Sequence, residues 1–155
     1  MKEQTVLPRR VGASYSTFAK TLTAIVLALN LACMYLLWPM PNLGVRLVWG
    51  GVAVLTVVFV GLAPVWFEER SDQYVLRLVA KTLTFDKGVY VATPISREEL
   101  EGAIPLFASS GFYGFTGWFW SRRMGRFRCF ASDLEAPLLR IHRPGEERGG
   151  VVVNG

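Results

Sequence analysis

The sequence contains only two cysteines and one histidine among 155 residues. Cys33 lies inside an apolar run and Cys129 between Arg128 and Phe130. That placement excludes a disulfide framework, and both read as small buried hydrophobes. A lone histidine, His142, excludes the H-E-x-x-H zinc helix and any site built from several imidazoles. There is no C-x-x-C pair, no G-x-S-x-G elbow and no glycine loop closing on Lys-Ser or Lys-Thr. The carboxylate pairs Glu98–Glu99 and Glu146–Glu147 fall in loop or short-helix contexts with no apolar cleft around them. The expectation is therefore no metal, no cofactor and no enzymatic activity.

Charge is also scarce, and its absence is local. Hydrophobic residues make up 52% of the chain and charged residues 19%, yet residues 21–45 and 47–67 carry no charge at all. Two apolar stretches result, FAKTLTAIVLALNLACMYLLW at 18–38 and LVWGGVAVLTVVFVGLAPVWF at 47–67. At ~1.5 Å per residue each would reach ~31 Å as a helix, about one hydrocarbon core. Trp38, Trp49 and Trp66 mark their ends, where indole rings suit the headgroup region. PMPNLGVR between them is rich in helix breakers, so the spans form a tight antiparallel hairpin. An exported, cleaved leader is disfavoured, because the apolar run continues past Cys33 where a mature chain would turn polar.

The spans divide the chain into a basic tail (1–17), a transmembrane hairpin (18–67) and a polar domain (68–155). Net charge is +4 over residues 1–46 and +1 over 68–155. Lys2, Arg9 and Arg10 precede the first span and Lys20 sits at its near boundary, Arg70, Arg77 and Lys81 follow the second, and only Arg46 lies near the turn. The positive-inside tendency then puts both termini in the cytoplasm of a bacterial inner membrane. A nearly neutral domain lacks the sustained positive footprint of a nucleic-acid binder, so nucleic acid is not an expected partner.

Within the spans, Ala24, Ala28 and Ala32 recur on one helical face, and Gly50, Gly51 and Gly61 offer small positions for close helix approach. Asn30 is expected to hold the pair together through a hydrogen bond to Thr56 or to a carbonyl. Pro64 is expected to kink the second span near its end.

The polar part reads as β-structure. YVLRLVAKTLTFDKGVYVATP (74–94) suggests two strands joined at Asp86-Lys87-Gly88, and Ser96 with Glu99 has the spacing of a helical cap at 97–102. GFYGFTGWFWSRRMGRFRCFASD (111–133) reads as a hairpin turning at SRRMG. On its return strand Phe127, Cys129 and Ala131 alternate with Arg126 and Arg128, one face apolar and one basic. APLLRIH and VVVN supply further strands. The count is six or seven, antiparallel, in a meander or small barrel.

The stretch GFYGFTGWFWSRRMGRFRCFASDLEAPLLRIHR resembles a bacterial pleckstrin-homology-like family in which membrane hairpins commonly precede the domain. The resemblance rests on Gly111, Gly114 and Gly117, then Gly125-Arg126-Phe127, then Ala131-Ser132-Asp133, then Leu138 to Ile141. It implies a membrane-attached PH-like β-barrel or sheet without an assigned activity. Such domains end in a helix that plugs one barrel mouth. No such helix is evident here, so an open barrel, a covering partner or a shortened chain are the expected alternatives.

Gly111, Gly114, Gly117 and Gly125 thus read as hairpin-forming positions rather than a phosphate loop. Arg122, Arg123, Arg126 and Arg128 are the candidate contacts for anions, since guanidinium matches phosphate oxygens bidentately. The functional expectation is a non-enzymatic module that binds a protein partner at the cytoplasmic face. The alternatives are anionic phospholipid binding through the four arginines, or a structural subunit of a membrane assembly.

Overall fold

The computed structural model describes residues 9–37, 39 and 42–155. Lys2 and Trp38, which enter the charge and boundary arguments above, lie outside the described residues.

Two helices come first. α1 (Thr17–Leu37) opens where the Ser16 hydroxyl oxygen accepts a hydrogen bond from the Ala19 amide at 3.2 Å. α2 (Leu43–Gly61) opens on Asn42, whose Oδ1 accepts from the amides of Gly44 and Val45 at 2.9 and 3.3 Å. Both caps satisfy orphan donors of the first helical turn. Each helix is long and apolar enough to cross a membrane.

The second span differs from its expected limits of 47–67. α2 starts at Leu43 and stops at Gly61, and the last apolar residues instead form β2 (Pro64–Glu69). Pro64 therefore does not kink a helix. It lacks an N–H and clashes with the preceding turn, so the helix ends ahead of it. Pro64 and Phe67 are buried and Val65 is exposed, on either side of an irregularity in the β2 pairing between Pro64 and Trp66.

The tail also contributes structure. β1 (Arg9–Gly12) pairs antiparallel with β2, Arg10 opposite Glu68 and Gly12 opposite Trp66. The chain entering α1 and the chain leaving α2 are thereby stitched together, so both ends of the helical pair lie on one side of it. The Arg10 guanidinium lies 4.4 Å from the Trp66 ring centre, a cation–π contact across this pair of strands.

β2 continues into β3 (Gln73–Leu78) and β4 (Thr82–Asp86), completing a four-stranded sheet of order β1-β2-β3-β4. The 74–94 segment thus holds three strands, not two, because Val79–Lys81 makes a tight turn that sequence pattern conceals. Asp86-Lys87-Gly88 is a turn, with Asp86 Oδ1 accepting from the Gly88 amide at 2.7 Å, but it separates two sheets. A second, six-stranded sheet follows: β5 (Val91–Ile95), β6 (Ile104–Gly111), β7 (Gly114–Ser121), β8 (Gly125–Ala131), β9 (Leu138–His142) and β10 (Val151–Asn154). Its order is β5-β9-β10-β8-β7-β6. The fold is therefore two separate ladders, not a meander of six or seven strands, and β10 runs parallel to β8.

A 3-10 turn at Arg97–Leu100 carries the chain from β5 on one edge of the large sheet to β6 on the other. Glu99 Oε1 accepts from the Ser96 amide at 3.2 Å, the reciprocal half of the expected cap. Leu100 joins Phe119, Met124, Phe127, Cys129 and Val152 in one core. A second core lies between the sheets, where Phe67, Leu76 and Leu78 meet Phe130, Ile141 and Val153. The two cores use opposite faces of the large sheet, as the adjacent residues Cys129 and Phe130 show.

Candidate functional site

Two surfaces stand out: the junction between helices and sheets, and the arginine-bearing face of the large sheet.

The junction is built on the β6–β7 hairpin, whose tip reaches α1. Phe18 and Leu22 of α1 cover Gly111, where an added Cβ would lie 3.0 and 3.2 Å from their side chains. At the tip, Tyr113 has a φ of 50°, a left-handed conformation uncommon for a non-glycine residue. Its backbone N–H donates to Thr23 Oγ1 at 3.0 Å, and the Phe112 carbonyl accepts from Ser109 Oγ at 2.8 Å. The Tyr113 ring meets Tyr15 edge-on at 6.2 Å. The Tyr15 hydroxyl in turn donates to the Pro64 carbonyl, tying the start of α1 to the start of β2. Burial, then the neighbouring Tyr113, pushes the Tyr15 phenol up to about 12. Further along β6, Phe107 packs on Phe59 near the end of α2, ring centres 5.7 Å apart. β6 thus passes across both helices at their sheet-side ends.

Tyr15, Thr23, Ser109 and Tyr113 hold the junction together, and sequence reasoning misses them. Thr23 looks like one hydroxyl in an apolar run, and its partner lies 90 positions away.

The glycines of the hairpin have steric reasons. Gly117 faces β6 so closely that a Cβ would sit 2.4 Å from the Phe107 carbonyl oxygen, at a φ of 121°. Gly114 lies against Ala131 and Ser132, and Gly125 occupies the β7–β8 turn. The Ala131-Ser132-Asp133 step is held by Asn154, whose Oδ1 accepts from the Ser132 amide and hydroxyl at 2.7 and 2.9 Å and whose Nδ2 donates to the Asp133 carbonyl at 2.6 Å.

The four arginines are only partly gathered. Arg126 and Arg128 flank Trp118, each guanidinium carbon 4.3 Å from its ring centre. Arg122 and Arg123 sit exposed at the β7–β8 turn, the hairpin end opposite the tip on α1. Arg123 donates to the Glu98 carbonyl oxygen at 3.4 Å rather than to its carboxylate. Asp133 accepts from the Glu135 amide. Among the described residues the ion pairs are Arg70–Glu68, Lys87–Glu69 and Arg97–Glu135, so no carboxylate neutralises the four arginines.

The small residues of the helices do not form the seam between them. Ala24, Ala28, Ala32, Gly50 and Gly51 are exposed, and added Cβ atoms at both glycines would meet open space. The half-buried faces carry Val26, Leu27, Asn30 and Cys33 on α1 and Trp49, Val52, Thr56 and Phe59 on α2. The stripe of Ala24, Ala28 and Ala32 faces outward. Asn30 Nδ2 donates to the Val26 carbonyl at 2.8 Å and Thr56 Oγ1 to the Val52 carbonyl at 2.9 Å. Each polar group is satisfied by its own preceding turn, so there is no Asn30–Thr56 bridge. Gly61 instead packs on Ala80 at the sheet junction, where its carbonyl accepts from the Ala80 amide at 2.9 Å.

Cys129 is fully buried, and desolvation pushes its thiol up to about 12, which suits a core residue and not a nucleophile. No group of three metal-ligating side chains occurs among the described residues. Compared with known families, curated proteins and solved structures, the chain matches none.

Proposed function

We propose that the chain is a membrane-anchored, non-enzymatic interaction module of pleckstrin-homology-like type. α1 and α2 cross a bacterial inner membrane, and the two sheets stand at its cytoplasmic face, where they bind a protein partner. The observation that carries this reading is the exposure of the helices. α2 has no buried residue, and Leu29, Leu31, Leu36, Leu47, Val54 and Val57 are all more than half exposed. A helix that is apolar all round requires either a protein core or lipid around it, and here no core covers them. The basic residues before α1 and after α2 favour the cytoplasm for the sheets.

The partner chemistry follows from the arginine face. Guanidinium groups held in place by an indole and without a carboxylate of their own suit an acidic protein surface. The same observation supports a second reading, contact with anionic phospholipid headgroups, each arginine contributing up to ~1 kcal/mol near a charged leaflet. The outward small-residue stripe of α1 and α2 supports a structural role beside other membrane helices.

Cross-linking in native membranes separates the partner reading from the membrane-assembly reading. A protein adduct that disappears when Arg122, Arg123, Arg126 and Arg128 become glutamine supports the partner reading. Adducts unaffected by those changes but lost on Ala28→Leu support the membrane-assembly reading. Recovery of the chain from the soluble fraction without detergent contradicts all three.

A further inference from the structure

We infer that the β6 edge of the large sheet and the tip of the β6–β7 hairpin are immersed in the membrane interface, making lipid a direct contact of the β-body. This rests on α1 and α2 being membrane spans. Between Glu101 and Arg122 lie twenty residues without a single charge. They form β6, β7 and their turn. β6 is the last strand of its sheet, and it exposes Ile104, Leu106 and Phe107 by 55, 55 and 54%. Trp120, opposite Ile104 in the register, is also exposed.

Exposed apolar groups in such a row are costly in water. Their position identifies the occupant. Phe107 touches α2 two residues before its end, and Tyr113 bonds Thr23, which at ~1.5 Å per residue lies about 9 Å along α1 from Thr17. If the helices lie in lipid, β6 runs obliquely along the boundary where they emerge, and its apolar row continues their lipid-facing surface. The tip is built for a dry setting. The Tyr113 N–H and the Phe112 carbonyl, the groups a turn normally leaves to water, are held by Thr23 and Ser109. The free outer edge of β6 sets the depth limit. Its unpaired backbone groups require water, although Pro105 removes one donor, so the strand rests at the headgroup–acyl boundary, about 5–10 Å deep. Aromatic side chains suit this level, and Phe107 and Trp120 present exposed rings there.

The test uses the full chain carrying Cys33→Ala, with buried Cys129 left in place. It is reconstituted in phosphatidylethanolamine–phosphatidylglycerol vesicles and spin-labelled singly at Leu29→Cys, Ile104→Cys, Leu106→Cys or Glu147→Cys. Collision with oxygen reports lipid, and collision with a nickel chelate reports water. The expected oxygen-to-nickel ratio is highest at position 29, severalfold above position 147 at 104 and 106, and lowest at 147. Ratios at 104 and 106 equal to that at 147, with a high ratio at 29, overturn this inference and leave the spans standing. A low ratio at 29 overturns the spans and the inference with them.

Discussion

Gly117 and Gly50 look alike in a sequence and carry opposite predictions. Alanine at Gly117 would place a methyl 2.4 Å from the Phe107 carbonyl oxygen at a φ of 121°. The backbone strain alone costs about 1–3 kcal/mol, before the steric clash is counted. Gly117→Ala is expected to lower the thermal midpoint of the detergent-solubilised protein markedly. Gly50→Ala meets open space inside a helix, where alanine is the better helix former, and is expected to be neutral or to stabilise by up to about 1 kcal/mol. Equal effects at the two sites would contradict the register of β6 on β7. Two other residues give a pH dependence. Cys129 and Tyr15 hold their protons to about 12 in the folded state, against ordinary values of 9.0 and 10.0. Above pH 9 the unfolded chain releases protons that the folded chain retains, so both contributions are present below that pH and are lost as pH rises toward 12. An alkaline titration followed by tertiary-structure circular dichroism is expected to show stability falling in that window. Thiol reagents at pH 8 are expected to leave Cys129 unmodified until denaturant is added.

Among the elements, the hairpin on α1 is the one whose fixing rests on few bonds. Thr23→Val keeps the side-chain shape and removes the acceptor, leaving the Tyr113 N–H without its partner at a cost of about 1–3 kcal/mol. Hydrogen exchange over 109–114 is expected to speed up in this variant and to return toward normal in Thr23→Ser. Unchanged exchange would mean that packing of Phe18 and Leu22 alone docks the hairpin. Elements also show where sequence pattern has reach. The helices, the β7–β8 hairpin, its SRRMG turn and the alternating faces of β8 are legible, because each follows from local periodicity or turn chemistry. β1 is not, since RRVG carries no strand signal and is a strand only by pairing with residues 54 to 60 positions later. The end of α2 is obscured because Val65, Trp66 and Phe67 continue the apolar run while the backbone changes from helix to strand. The outward direction of the Ala24, Ala28 and Ala32 stripe is hidden for a related reason: spacing shows that residues share a face, but not which way it points. In the candidate site, the arginines and glycines are legible as residue types, whereas the lock of Tyr15, Thr23, Ser109 and Tyr113 joins segments far apart in the chain.

At the scale of the molecule, one arrangement ties the rest together. The chain leaves the first sheet through β1, traverses two lipid-suited helices and returns beside its starting point in β2. That closure holds the β-body against the helical pair and sets the apolar edge of β6 beside the sheet-side ends of the helices; in the proposed reading that is the level where the helices leave the lipid, and the Trp118 arginine face stays open to a partner. The proposed sidedness rests on the basic flanks. The most direct measurement labels single cysteines with a membrane-impermeant maleimide in intact spheroplasts, in the Cys33→Ala background. Pro39→Cys, between the helices, is predicted to react in intact cells, and Glu147→Cys, in the sheets, only after the membrane is opened. Reaction of position 147 in intact cells, or protection of position 39, would contradict the proposed topology.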